Sequence, residues 1–321
     1  MKKVFIIAEA GINHNGKLKN AIKLIDIAAN AKVDAVKFQL FNPSFFINKN
    51  KLPKAFKRFS SLEFNLDNWK KIITYCKKKK LIFFVSIFDE ESLVVIKKLS
   101  IKIIKIPSGE INNIQLLKKI NKTKLKVILS TGMSTLEEIK VALKNLNKCK
   151  VEVLHCVSEY PTKLKSINLN YISTLKKILK KDIGFSDHSL GSEVPALAVA
   201  AGATIIEKHI TYNKNQKLGD HKMSINEKEL TEMVNKIRSA EVICGEEYKK
   251  VLKTEKKLSK VARKGAYIRQ QIKKGQKLKM KDIIFLRPSN FKSLLLINKM
   301  LDKKAKKNLY KLENLKKNDF R

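Results

Sequence analysis

Ile183 to Ser224 reads IGFSDHSLGSEVPALAVAAGATIIEKHITYNKNQKLGDHKMS, and three of the five histidines fall inside it. The stretch is one strand–helix–strand unit. Ile183–Ser186 is a short apolar strand that stops at Asp187-His188, Val194–Ala201 is an Ala-rich helix, and Ala203–Lys208 is a second apolar strand that stops at His209. If the two strands are parallel neighbours they lie about 4.8 Å apart, and two imidazoles at equal depth could chelate one cation. The period-2 alternation of a strand puts Ser186 and His188 on one face, and Glu207 and His209 on one face.

The same rhythm extends in both directions. Strand-like runs at Val4–Ala8, Ala35–Leu40, Leu81–Val85, Ile101–Ile106, Leu125–Leu129 and Val151–Leu154 are each followed by an amphipathic helical run. Glu227–Ile243 supplies the last helix. Strands apolar throughout, each followed by a helix, imply a parallel sheet covered on its outside. Eight such units predict an α/β fold of the (β/α)8 TIM-barrel type; a doubly wound sheet is the alternative, and the regular spacing favours closure.

Polar residues fall at the C-terminal ends of the strands, the rim on which barrel active sites are built. They include Glu9, Lys37 and Gln39, Ser86, Lys105, Ser108 and Glu110, Ser130, His155, Ser158 and Tyr160, Ser186 and His188, and His209. A lysine inside an apolar strand is costly unless paired, so Lys37 and Lys105 are candidate anion ligands, with the Ser130 and Ser186 hydroxyls beside them. Asn13-His14-Asn15-Gly16 reads either as a turn or as a substrate-contacting loop. Cys156 reads as a buried strand-end thiol, and Trp69 with Phe45-Phe46 as core or lid packing.

The pattern predicts a catalytic barrel over 1–245, a charged and partly helical linker over 246–260, and a small β-rich domain over 261–321, where short strands alternate with Gly and Lys turns. Such a domain is marginal alone and should pack on a barrel, its own or a partner's. The net charge of +40 would ordinarily suggest nucleic acid, yet only six of the 69 basic residues are arginine. Bidentate phosphate and base recognition favours arginine, so no nucleic-acid partner is expected. Four cysteines without CxxC spacing fit a reducing cytoplasm. The N-terminus imitates a signal peptide with too short an apolar core, and no run is long enough for a membrane span.

Eight ordered motifs carry a resemblance: AEAGINHNG (8–16), VKFQ (36–39), KIPSGEINN (105–113), LSTGM (129–133), LHCVSEYPT (154–162), GFSDHSLG (184–191), IEKHIT (206–211) and GDHKMS (219–224). Together they resemble the sialic acid synthase family, which comprises N-acetylneuraminate, legionaminate and pseudaminate synthases. The stretch from ARKGAYI through KKG to LRP resembles the antifreeze-like (SAF) domain that ends these enzymes.

The resemblance implies condensation of phosphoenolpyruvate with the open-chain aldehyde of an N-acyl amino sugar such as N-acetylmannosamine. It also implies a divalent cofactor, Mn²⁺ with Mg²⁺ or Co²⁺ as alternatives, on His188 and His209. Glu9 and Glu110 match acid–base and substrate-handling groups, with His188 also counted in the catalytic set. Lys37, Lys105, Ser130 and Ser186 match phosphoenolpyruvate contacts with Gln39 close by, Ser108 and Ser158 are further substrate-binding candidates, and Tyr160, Asp220 and Ser224 match the sugar side. A domain-swapped homodimer is implied, with Arg287 reaching the partner's sugar. The wording around Asp220 leans towards the neuraminate and legionaminate branches. Departures from the family pattern are the strand-three end SIFD (86–89), apparently one residue short, the Lys217-Leu218-Gly219 stretch, and Ser-Asn-Phe after Arg287-Pro288. A condensing enzyme for a shorter sugar phosphate, pseudaminate synthesis, and a non-catalytic polyanion-binding relative are the competing readings.

Overall fold

The structure, a computed structural model, describes residues 3–246, 248–289 and 295–321. The chain divides into two compact units, Met1–Gly245 and Glu246–Arg321.

Eight parallel strands form the first unit: β1 Phe5–Gly11, β2 Ala35–Leu40, β3 Ile82–Ile87, β4 Ile103–Ile106, β5 Lys126–Ser130, β6 Lys150–Cys156, β7 Ile183–Asp187 and β8 Ile205–His209. Each pairs with its sequence neighbour, and β1 pairs with both β2 and β8, so the sheet closes into a barrel. Closure disposes of the doubly wound alternative. Several strands run one or two residues past the apolar runs, so that Ser86, Ser130, Cys156 and His209 belong to the strands themselves.

The outer helices follow from amphipathic spacing. Leu18–Asn30 buries Ala21, Leu24, Ile25 and Ala28, which recur on one stripe. Side-chain caps fix several starts: Asn65, Asn113, and the capping boxes Thr135/Glu138 and Asn226/Glu229 satisfy amides that a first turn leaves orphaned. Inside the barrel, Gly184 is required by close approach, because a Cβ there would lie 2.4 Å from a Leu154 methyl and 2.8 Å from the Ile205 carbonyl oxygen. The tight layer beneath Ser186 is built on that absence.

The second unit holds an antiparallel pair, β9 Gly265–Ile268 with β10 Ile283–Leu286. Isolated bridges such as Ile272↔Leu309 and Ala305↔Phe320 extend it over a small separate core of Ile268, Ile272, Leu278, Ile283, Leu309 and Phe320. The charged stretch expected as a linker leads into a helix, Lys253–Ala262, that buries no side chain and leaves Leu258 and Val261 exposed. Among the described residues no helix is long and apolar enough to cross a membrane.

Candidate active site

The inward residues at the C-terminal ends of the strands meet in one cavity. Register sets their depth: Glu9 lies beside Lys37 on one side and His209 on the other, Ser86 beside Lys105, and Ser186 beside both Cys156 and Glu207. A buried charge network results. Lys37 Nζ lies 2.7 Å from Glu9 Oε2 and 3.6 Å from Glu207 Oε2, and donates to Ser86 Oγ at 2.7 Å. Lys105 Nζ donates to both Glu207 oxygens, at 2.7 and 2.8 Å, and Ser186 Oγ donates to Glu207 Oε1 at 2.9 Å. Glu9, Lys37, Ser86, Lys105, Ser186 and Glu207 are each at most 5% exposed.

Two ammonium groups and two carboxylates in a dry space cannot share charge evenly. Burial pushes Glu9 up to about 7, against the pull of Lys37. Burial would raise Glu207 too, but Lys105 and Lys37 outweigh it and hold that carboxylate well below its ordinary range. Burial lowers Lys105, with Glu207 as the largest opposing influence. Lys37, flanked by both carboxylates, is raised despite its burial.

His188 and His209 stand above this network with ring centroids 5.5 Å apart. His188 Nδ1 is 2.9 Å from the Val157 carbonyl oxygen, so that nitrogen carries an N–H; burial would lower this ring's pKa, but Cys156 and the Val157 carbonyl raise it. His209 Nδ1 is buried with no hydrogen-bond partner, and the Asp220 carboxylate lies 3.8 Å away. Burial, then the neighbouring His188, holds His209 well below its ordinary value, so it is a neutral imidazole. A histidine pair with a neutral His209 and an orphaned ring nitrogen fits a borderline divalent ion. Among the described residues no group of three His, Cys, Asp or Glu side chains converges into a complete site, so oxygen ligands from substrate or water would have to complete the set.

The loops account for the remaining candidates. Gln39, Ser108, Ser130 and Tyr160 line the cavity, and the Tyr160 ring lies 4.2 Å from that of His188. Ser108 Oγ accepts the Gly132 amide at 3.0 Å. Ser158 Oγ is buried beside Tyr160, and a Cβ on Gly132 would lie 2.3 Å from it and 2.9 Å from Ser108 Oγ.

Glu110 does not line the cavity. It sits half-buried on a single 3₁₀ turn, Ser108–Glu110, and accepts from Asn113 Nδ2 at 3.0 Å; burial raises its carboxyl. Ser224 is 1% exposed and already engaged, accepting from Asn13 Nδ2 at 2.9 Å and donating to the Asp220 carbonyl at 2.7 Å. Asn13 Oδ1 accepts the Asp220 amide at 2.7 Å, and its Nδ2 also donates to the Ile210 carbonyl at 2.8 Å. The Asn13 turn thus ties the 219–224 loop to the barrel, and Gly219, at φ +85°, has no room for a Cβ, which would lie 2.6 Å from Asn13 Oδ1. Of the two readings of the 13–16 stretch, Asn13 takes the structural one. Arg287 is exposed just after β10 in the second unit.

The shortened SIFD end keeps its inward serine. Phe88 then joins an aromatic cluster with Phe41, Phe46 and Phe59, while Phe45 of the same pair points outward, 59% exposed. Asp89 accepts the Asn42 amide at 2.8 Å and the Ser92 amide at 2.8 Å, fastening the strand-two loop to the following helix.

Glu207 received no role in the sequence reading, although it joins three other site groups, Lys105, Lys37 and Ser186. The available signal was a carboxylate inside an apolar strand, two residues before His209 and on the same face.

A closed parallel barrel whose rim joins buried lysines to a histidine pair defines a barrel enzyme with a candidate anion site beside a candidate metal site. Residues 24–249 match the NeuB family, and the chain belongs to it. It is 40% identical over 98% of its length to N,N'-diacetyllegionaminic acid synthase of Campylobacter jejuni, covering 99% of that protein. It is 35% identical to the N,N'-diacetyllegionaminic acid synthase of Legionella pneumophila, across 88% of this chain and 85% of that one. Among solved structures, N-acetylneuraminic acid synthetase of Leptospira borgpetersenii in complex with citrate matches with a TM-score of 0.76 and 38% identity, over 80% of this chain and 90% of that chain.

Proposed function

We propose that the protein is a nonulosonic acid synthase that condenses phosphoenolpyruvate with the open-chain aldehyde of an N-acyl amino sugar. The observation that carries this is the convergence of two buried ammonium groups, Lys37 and Lys105, with the His188–His209 pair in one cavity. Fixed cations in a dry cavity suit a small polyanion such as phosphoenolpyruvate. The identity to two diacetyllegionaminate synthases supports a 6-deoxy diacetamido hexose as acceptor, with N-acetylmannosamine next.

In the reaction the enol carbon of phosphoenolpyruvate bonds to the aldehyde carbon. Water adds to the former C2, and the C–O bond to phosphate breaks, so that a nine-carbon 2-keto acid and inorganic phosphate leave. Lys37 and Lys105 bind and orient the phosphate and carboxylate, with Ser130 and Ser186 as neutral partners. Glu9, poised near neutrality, can hold or release a proton where the new hydroxyl forms. His188 and His209 would hold a divalent ion, Mn²⁺ in preference to Mg²⁺ or Co²⁺, which when bound supplies Lewis acidity towards the aldehyde oxygen. Tyr160 covers His188, and Asp220 faces His209 on the sugar side. Glu110, outside the cavity lining here, would act only on a bound sugar that reaches beyond it. The C-terminal unit reads as an SAF domain that brings Arg287 to a partner's site in a homodimer.

The test is mass-spectrometric detection of the nonulosonic acid with phosphoenolpyruvate, Mn²⁺ and a panel of amino sugars, with EDTA and His209→Ala as controls. Product with one sugar, abolished by both controls, is expected. A folded enzyme that yields product equally well in EDTA would contradict the metal assignment, and no product with any sugar would contradict the reaction.

A further inference from the structure

The proposed reaction uses Lys37 and Lys105, but says nothing of what keeps two ammonium groups charged and aimed inside a closed barrel. Each is at most 3% exposed. An ammonium taken from water into such a space loses its charge unless a counter-charge is fixed beside it. Glu9 cannot fill that role for both. It lies 2.7 Å from Lys37, and no hydrogen bond or ion pair joins it to Lys105 among the described residues. Glu207 reaches both, with two short hydrogen bonds to Lys105 and an approach of 3.6 Å to Lys37. Its own rotation is stopped by Ser186 Oγ at 2.9 Å.

The other charged or titratable groups facing Lys105 do not substitute. Lys37 repels it, Cys156 supports it more weakly than Glu207 does, and Glu9 acts only at longer range. Glu207 itself also faces the two histidines. Its bidentate hold takes two of the three donor directions of Lys105 and leaves one for a ligand.

We propose that Glu207 is the positioning residue of the anion site, holding Lys105 charged and pointed at the phosphate or carboxylate of the bound anion. The inference rests on the reading of the cavity as a phosphoenolpyruvate site, but it makes a claim about any phosphate-class anion. Glu207 touches no reacting atom in this account; it acts through the two lysines.

The test compares wild type, Glu207→Gln and Glu207→Asp in the full-length protein, with Lys105→Met as reference. Inorganic phosphate affinity is measured by calorimetry across pH, and KM and kcat for phosphoenolpyruvate in parallel. In Glu207→Gln the buried Lys105 sheds its proton at lower pH. The alkaline limb of phosphate affinity and of kcat/KM is expected to move acidward by at least about one unit, which is a tenfold loss at a fixed alkaline pH. KM for phosphoenolpyruvate should rise by more than kcat falls. Glu207→Asp keeps the charge but shortens its reach, so it should restore most of the limb while leaving KM raised.

A folded Glu207→Gln with the wild-type limb and KM overturns the proposal. If Glu207→Gln does not fold, Glu207→Asp decides alone, because an unchanged KM there overturns it and a raised KM at constant kcat supports it. Phosphate binding that is lost in Glu207→Gln without turnover in wild type would support Glu207's role while removing the condensation reaction. A wild type that binds no phosphate would overturn both.

Discussion

Strands β7 and β8 carry two buried charge clusters back to back, and they differ in one respect. On the outer face Lys208 Nζ pairs with Asp187 Oδ2 at 2.6 Å and donates to the Ser189 carbonyl at 2.5 Å, while Asp187 Oδ1 accepts the Ser189 amide at 2.8 Å. Every group there has its partner, and the pair clamps the turn that carries His188. On the inner face Glu207, Lys105, Lys37 and Glu9 are also paired, but four charges are crowded together and the ammonium groups keep donors in reserve. The outer cluster is a brace; the inner one is poised for an incoming anion. Alternation along two strands, 186/188 and 207/209 against 187 and 208, separates the two jobs.

Substitutions should split activity from stability along that line. Glu9→Gln is expected to slow turnover by about 10²–10⁴-fold, the usual worth of a proton-transfer group. The same change should remove a pH dependence of stability. Glu9 titrates near 7 when folded against an ordinary 4.5, so between those values the folded chain binds a proton that the unfolded chain has released. Stability contributed by that proton is complete below the ordinary value and is lost as pH rises through 7. Denaturant titrations of the metal-free enzyme across that window should show the decline in wild type and a flatter curve in the variant.

Asp187→Asn should do the reverse. It leaves Lys208 buried without its counter-charge, at a cost of about 3 kcal/mol or more in unfolding free energy, whereas turnover per folded molecule should change far less than in Glu9→Gln. Calorimetric melting with active-site titration separates the two. Ser224→Ala should cost about 1 kcal/mol through the lost Asn13 and Asp220 hydrogen bonds. Its KM for the sugar should rise only as far as the 219–224 loop loosens.

An effect confined to acid pH concerns His14, which stacks on Phe64 at 4.2 Å and whose burial pushes it down to about 3. The native state keeps it neutral, so stability is lost as pH falls from its ordinary value of 6.5 towards 3. One proton accounts for about 1.4 kcal/mol per pH unit in that range. His14→Gln should remove that one-proton slope and leave turnover near neutral pH unchanged.

The barrel and most of its rim were legible because they rest on local pattern. Apolar runs, helical stripes and strand alternation placed Glu9, Lys37, Lys105, Ser186, His188 and His209 together before any coordinates. The parts that were not legible depend on who meets whom across the closed sheet. Glu207 looked like one strand residue among others until closure set it against Lys105, 102 positions earlier. Ser224 carried a substrate-like motif, but its hydroxyl is occupied by Asn13, 211 positions away. Glu110 shares a motif with Lys105, yet the 3₁₀ turn between them carries it away from the cavity lining. The helix Lys253–Ala262 falls mostly within the stretch read as a charged, partly helical linker.

The most direct measurement is amino-sugar-dependent phosphate release from phosphoenolpyruvate by wild type and Lys105→Met, with melting temperatures taken on the same samples. Removing Lys105 leaves the buried Glu207 carboxylate with Lys37 as its remaining counter-charge, so the melting temperature should fall. Activity should fall by at least about 100-fold, as expected when a fixed charge on a reacting anion is lost. A Lys105→Met protein that melts far below wild type while turning over at the wild-type rate per folded molecule would make the inner cluster a brace like the outer one, and would contradict this account.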